Sequence, residues 1–269
     1  FPDALDAYKG ALTLHRSLND SAGIADALIN IGVVHYDQSR YARAIKFYEE
    51  AIAILETLND RDPIDYALAL NNLALTFTEL GQYSRALELY RRALSIIEKT
   101  GETEPAGAVL HNIGFTYSKA GNQLEALQYY KRALITRSRG PDEKGMASTL
   151  NNMGYVLSKQ GKVDEALQMH DRALALARKT IAAGIEGRIL DSQGDTSARM
   201  GQFARAQALY HEALAIRKQR GDRRGERVTL ANIGHVFQRQ GKDELAIVFY
   251  KQSVNISESI RGEISGLAP

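Results

Sequence analysis

Six histidines, 13 tyrosines and adjacent carboxylates such as Glu49-Glu50 and Asp243-Glu244 are the side chains with the means to do chemistry. A helical metal site would need ligands on one face, as two histidines at i and i+4 are. His15, His35, His111, His170, His211 and His235 include no such pair and no HExxH. Zero cysteines remove Zn–thiolate sites, Fe–S clusters, disulfides and a thiolate nucleophile. No GxxxxGK(S/T), GxGxxG or GxSxG string occurs, so neither a phosphate cradle nor a nucleophile elbow is written here. The carboxylate pairs fall at positions expected to be solvated, and most tyrosines recur in an apolar stripe. The expectation is a non-enzyme without metal or cofactor.

The elements that carry these residues have ordinary globular composition, 44% hydrophobic and 25% charged, with no apolar run near the length that spans a bilayer. The net charge of +2 hides an asymmetry: residues 1–134 hold 13 basic and 17 acidic side chains, residues 135–269 hold 21 and 15. Neither half has the clustered, strongly basic character of a nucleic-acid footprint. The expected partner is therefore a peptide or protein, not a nucleic acid or a membrane, and the expected location is the cytoplasm. The chain opens at Phe1 without Met, which reads as a segment of a longer protein.

Self-comparison organises the whole chain. An Ala column runs Ala4, Ala44, Ala86, Ala126, Ala166, Ala206, Ala246, in steps of 40 or 42. Four residues on stand Tyr8, Tyr48, Tyr90, Tyr130, His170, Tyr210 and Tyr250. Twelve residues before all but the first lies a small residue: Gly32, Ala74, Gly114, Gly154, Gly194, Gly234. Leu28, Leu70, Leu110, Leu150, Leu190 and Leu230 precede these by four, which is helical spacing. The small residue is expected to admit a neighbouring backbone. Gly81, Gly121, Gly161, Gly201 and Gly241 follow and should end the first helix of each pair. Turn-rich stretches at Asn19-Asp20-Ser21, 59–63, 101–105, 140–142 and Gly221-Asp222 separate the pairs.

The fold expected is all-α, a right-handed α-solenoid (superhelix) of stacked antiparallel helix pairs. Its boundaries are a lone second helix at 3–19, repeats at 23–59, 64–101, 105–140, 144–180, 185–220 and 224–261, and a tail at 262–269. Stacking faces left open at the ends make a homo-oligomer a further expectation.

The string NNLALTFTELGQYSRALELYRRAL resembles the tetratricopeptide repeat (TPR) signature. The period of 40 is longer than the usual form of about 34 residues, and the terminal Pro is absent. This longer form resembles the repeats of kinesin light chains, Asn-rich spindle-orientation adaptors and bacterial signalling proteins. YKQSVNISESIRGEISGL is similar to the stretch that leads into CHAT protease domains of bacterial TPR proteins. The resemblance implies an interaction scaffold, or the sensory arm of a larger bacterial signalling enzyme such as a CHAT-type protease.

Stacked pairs curve with the first helices inside, so three first-helix columns are candidates for a concave binding face. Two residues before the small position stand Asn30, Asn72, Asn112, Asn152, Ser192 and Asn232. Such amides could pair with the backbone of an extended peptide or merely with each other; the resemblance implies peptide contact. Five after it stand Asp37, Glu79, Lys119, Lys159, Arg199 and Arg239, acidic then basic, expected to orient a ligand of complementary polarity. One after it, Phe115 and Tyr155 could anchor a ligand apolar group. The positions that would carry a carboxylate clamp are Ile29, Asn71, His111, Asn151, Asp191 and Ala231, without a Lys or Arg. The fifth pair carries Gly184, Gly187, Gln193 and Asp195, which make it either the softest joint of the solenoid, the expectation here, or a polar contact site.

Overall fold

The computed structural model describes residues 2–58, 62–180 and 183–265. Phe1, the turn residues Asn59, Asp60 and Arg61, the pair Ile181 and Ala182, and tail residues 266–269 lie outside the described residues. Thirteen helices and no strand occur among those described: α1 (Pro2–Ser17), α2 (Ser21–Asp37), α3 (Tyr41–Thr57), α4 (Pro63–Glu79), α5 (Tyr83–Thr100), α6 (Thr103–Lys119), α7 (Gln123–Arg137), α8 (Glu143–Lys159), α9 (Val163–Lys179), α10 (Ala183–Arg199), α11 (Phe203–Arg220), α12 (Arg223–Arg239) and α13 (Asp243–Ser265). α6 starts two residues before the expected 105, and α13 continues past the expected start of a tail at 262.

The chain divides into two compact units, residues 1–140 and 141–269. In the first, each helix from α1 to α7 packs on the next, and α4 also touches α2 and α6. In the second, α8 to α13 pack in order, and α10 also touches α8 and α12. Alternate second helices, α3 and α5 or α9 and α11, make no such contact. First helices therefore close on one another while second helices splay, which makes the first-helix side the inside of each stack. Each unit is an α-solenoid.

The Gly and Tyr columns turn out to be one lock. The small residue does not chiefly admit a neighbouring backbone, as its size suggests, but the aromatic ring of its own hairpin. A Cβ at Gly32 would lie 2.5 Å from the Tyr48 ring, at Gly114 2.8 Å from Tyr130, at Gly154 2.6 Å from His170, and at Gly194 2.5 Å from Tyr210. Those rings are among the most buried side chains of the protein. Eight residues after the Ala column, Leu12, Ile52, Leu94 and Leu214 are 7–9% exposed and Leu134 and Leu174 are half-buried, whereas Val254 in α13 is 52% exposed. Burial of that column thus comes from the hairpin that follows.

Helix ends follow from local chemistry. Asp20, Asp142 and Asp222 accept the backbone N–H of Gly23, Gly145 and Gly225 at 2.8–3.0 Å, and Asp62 accepts that of Ile64 at 2.7 Å. These side chains satisfy N–H groups that the first turn leaves without partners. At the other end Gly81, Gly121, Gly161, Gly201 and Gly241 are left-handed, with φ from +70° to +87°. The same turn after α2 uses Ser39 at φ +59°. A Cβ is disfavoured there, so Ser39→Gly is expected to raise stability by about 1 kcal/mol in urea unfolding. A loss of stability would show that the serine is held by something beyond its backbone.

Candidate functional site

In the second unit the column one residue after the small position and the column five after it meet on the first-helix side. Tyr155 of α8, Asp195, Ala198 and Arg199 of α10, Tyr210 of α11, and His235 and Arg239 of α12 line a cavity of about 650 Å³. The Arg239 guanidinium lies over the Phe203 ring at 5.2 Å, and its Nη1 donates to the Ala198 carbonyl at 2.8 Å. Lys159 Nζ stands over the Tyr155 ring at 5.5 Å. Tyr210 O–H donates to Asp195 Oδ1 at 2.6 Å. Burial pushes the Asp195 carboxyl up, while the Tyr210 bond and the attraction of Arg199, His235 and Lys159 pull it down. Burial and the Asp195 charge together raise the Tyr210 phenol, so it is a donor throughout the physiological range.

The first unit arranges the same columns differently. Lys119 is paired with Glu79 at 3.2 Å and stands over the Phe115 ring at 5.3 Å. Its charge is thus largely answered from the preceding repeat, and the sign change along the column divides into a paired part and a cationic part.

The amides are half internal. Asn112 Nδ2 donates to Asn71 Oδ1 at 2.9 Å, and Asn71 Nδ2 reaches Asn72 Oδ1 at 3.4 Å. Asn30 is exposed and donates to its own helix at the Asp26 carbonyl. Asn72, Asn112, Asn152 and Asn232 are half-buried. The neighbouring column, which holds no Lys or Arg for a carboxylate clamp, supplies buried polar links: Asn71, Asn151 and Asp191 are each under 10% exposed. Asn151 Oδ1 accepts from His170 Nδ1 at 3.0 Å.

α10, read from the sequence as a soft joint or a polar contact site, places several of its polar side chains in bonds, while Gln193 Oε1 and Ser197 Oγ are buried without one. Gln193 Nε2 donates to Asp171 Oδ1 at 2.7 Å. Asp191 pairs with Arg217 Nη2 at 2.6 Å and accepts from Thr229 O–H at 3.0 Å. Arg217 Nη1 donates to Thr229 Oγ1 at 2.9 Å and also to the Gly225 carbonyl. Gly187 makes room for this guanidinium, whose Nε would lie 3.0 Å from a Cβ there. Despite Arg217, burial pushes the Asp191 carboxyl up to about 7. Among the described residues no cluster of three or more His, Asp or Glu is placed to hold a metal ion. No described helix is long and apolar enough to cross a membrane.

Helix hairpins stacked in register, with their first-helix side lined by polar and aromatic side chains, define a helical-repeat protein. Tetratricopeptide repeat patterns match residues 1–57, 65–138 and 185–259, and a second tetratricopeptide repeat pattern matches 146–181. The chain belongs to the tetratricopeptide repeat family. No curated protein sequence matches it. Among solved structures it is similar to BtubC (BKLC) from P. vanneervenii, with 22% identity and a TM-score of 0.67 over 82% of this chain and 92% of that one. It is similar to the Rap conjugation gene regulator of the plasmid pLS20 in complex with the Phr* peptide, with 18% identity and a TM-score of 0.74 over 98% of this chain and 71% of that one. A third likeness is to a Podosopora anserina putative kinesin light chain with nearly identical TPR-like repeats, at 18% identity and a TM-score of 0.57, covering 73% of this chain and 96% of that one. At these identities the likeness is one of fold.

Proposed function

We propose that the chain is a non-catalytic interaction scaffold that holds an extended peptide or protein segment against the first-helix side of its repeats. The observation that carries this reading is the cavity of the second unit, where Tyr155, Arg199, His235 and Arg239 converge from three successive first helices. Half-buried Asn72, Asn112, Asn152 and Asn232 lie on first helices, and what their internal bonds leave, such as Asn72 Nδ2 and Asn112 Oδ1, suits a peptide backbone. Lys159, Arg199 and Arg239 give the second unit a positive lining that orients an incoming segment more than it tightens it. The solved Rap regulator in complex with a peptide supports this use of the fold.

Panning a random peptide library against the chain tests the reading. Enriched peptides are expected to lose about tenfold or more in affinity with Asn152→Ala/Asn232→Ala, measured by fluorescence anisotropy. A library that yields no enriched sequence, or peptides indifferent to these amides, would sink it. The second reading, a sensory arm of a larger signalling enzyme such as a CHAT-type protease, rests on the resemblance of residues 250–267. It uses the same binding face, and the sequence encoded beyond Pro269 decides between them.

A further inference from the structure

One carboxylate stands among the cations of the second unit's cavity. Charged and titratable groups reach Asp195 from the elements around it: Lys159 from α8, Arg199 and, one turn earlier, Asp191 from α10 itself, Tyr210 from α11, and His235 and Arg239 from α12. α9 contributes none of the lining. Lys159, Arg199 and Arg239 outnumber Asp195, so the cavity has positive charge to spare. Arg239 is tethered through Ala198 and Phe203, which fixes its fork in place. An anion gains from this surplus where a neutral group does not. An entering carboxylate, however, meets Asp195 as a like charge, and two adjacent carboxyl groups resist being ionised together.

Resting on the scaffold reading above, we propose that this cavity receives the carboxylate of an Asp or Glu side chain on the bound segment, and that the incoming group and Asp195 then hold one proton between them. Arg199 and Arg239 supply charge-assisted donors to the incoming oxygens. Tyr210 O–H keeps Asp195 oriented, its Oδ1 already occupied at 2.6 Å. The shared proton comes from solvent, so binding takes up one proton and strengthens as pH falls. Burial has already raised the Asp195 carboxyl towards that state. Asp195 is thus a selectivity element: it admits an acid only together with a proton.

The probe is a labelled peptide of alternating Gly and Glu, beside its Gly/Gln counterpart, titrated by anisotropy from about pH 8 to about pH 6. The Glu peptide is expected to bind at least about tenfold more tightly than the Gln peptide at the lower pH, its affinity rising by about a hundredfold across the range, the slope of one proton taken up over about two pH units. Asp195→Asn should bind the Glu peptide about fivefold more tightly at the higher pH and lose most of the slope. His235→Gln should keep the slope, and Arg205→Glu, an exposed change elsewhere on α11, should leave it intact. A flat profile in the wild type overturns the proposal with no variant required. Weaker binding of the Glu peptide by Asp195→Asn at the higher pH overturns it as well. A slope that disappears with His235→Gln also overturns it, by assigning the proton to the imidazole. If neither peptide binds while library-selected peptides do, this inference fails and the scaffold reading stands; if no peptide of any origin binds, the scaffold reading itself fails.

Discussion

Exchanging Arg217 for methionine is expected to lower stability by about 3–5 kcal/mol, the usual result of stripping the partner from a buried charge. Arg217 and Asp191 are 5% and 6% exposed, and the guanidinium also serves Thr229 and the Gly225 carbonyl. Loss of the cation leaves Asp191 buried with the Thr229 hydroxyl and the repulsion of Asp195 and Asp222, where its carboxyl already sits at about 7. The sign of the pH effect follows. A carboxyl whose folded value lies above its ordinary 3.8 favours the protonated folded state, so its contribution is lost as pH rises towards that folded value. Without Arg217 the folded value climbs further, and Arg217→Met should suffer more at about pH 8 than at about pH 6. Urea unfolding at both values measures it, and Asp191→Asn added to Arg217→Met should return part of the loss. A cost below about 1 kcal/mol, equal at both pH values, would mean that the pair is solvated in spite of its geometry.

The hairpins, their register and the Ala, Tyr and Gly columns were legible because a helical period and a 40-residue step determine which residues face inward. Partners between the two helices of one hairpin were not legible from period alone. Periodicity marks Gly187 as a weak helix residue, but the structure sets it against Arg217. A signal for this was present. Gly107 and Gly187 occupy one column, and the residues thirty further on are Arg137 and Arg217; a Cβ at Gly107 would lie 2.5 Å from Arg137 Cγ. Ala25, Ala67 and Ala147 fill that column where Leu55, Ile97 and Ala177 follow instead. A small residue thus changes with the bulk of the side chain that crosses it. The Asp caps could also have been found, since Asp20, Asp142 and Asp222 each stand three before a Gly.

The candidate site was half legible for a related reason. The columns that hold Tyr155, Arg199 and Arg239 were visible as columns, and their convergence on one cavity follows from first helices that touch. Whether a charge in such a column is available to a visitor depends on its neighbour one repeat away. Lys119 meets Glu79, forty residues back, and is answered. Arg199 stands forty after Lys159 and forty before Arg239, so cation follows cation and no such pairing within the column exists. A repeat fixes the spacing of these side chains, and the sign of each neighbour then separates a paired ladder from a receptive surface.

His170 departs from the tyrosine column, and its replacement by tyrosine is expected to remove most of the acid sensitivity contributed by this site. The imidazole is fully buried against Gly154. An amide oxygen can only accept, so the bond of 3.0 Å to Asn151 Oδ1 places the proton of the neutral ring on Nδ1. Burial lowers the imidazole from its ordinary 6.5 to about 4. The unfolded chain therefore takes up a proton before the folded one does. The contribution to stability is whole above about pH 6.5 and is lost as pH falls towards 4, by about 2 kcal/mol at pH 5 and about 3 kcal/mol at the limit. Tyr48, Tyr130 and Tyr210 show that a phenol ring fits over glycine at this station. The difference in stability between wild type and His170→Tyr should therefore be nearly constant above about pH 7 and should move in favour of the variant below about pH 6. Asp191, Asp195 and the other carboxyls titrate in both proteins and cancel in that difference. Parallel stability curves down to about pH 5 would show that water or a rearrangement reaches His170 and lets it charge in place.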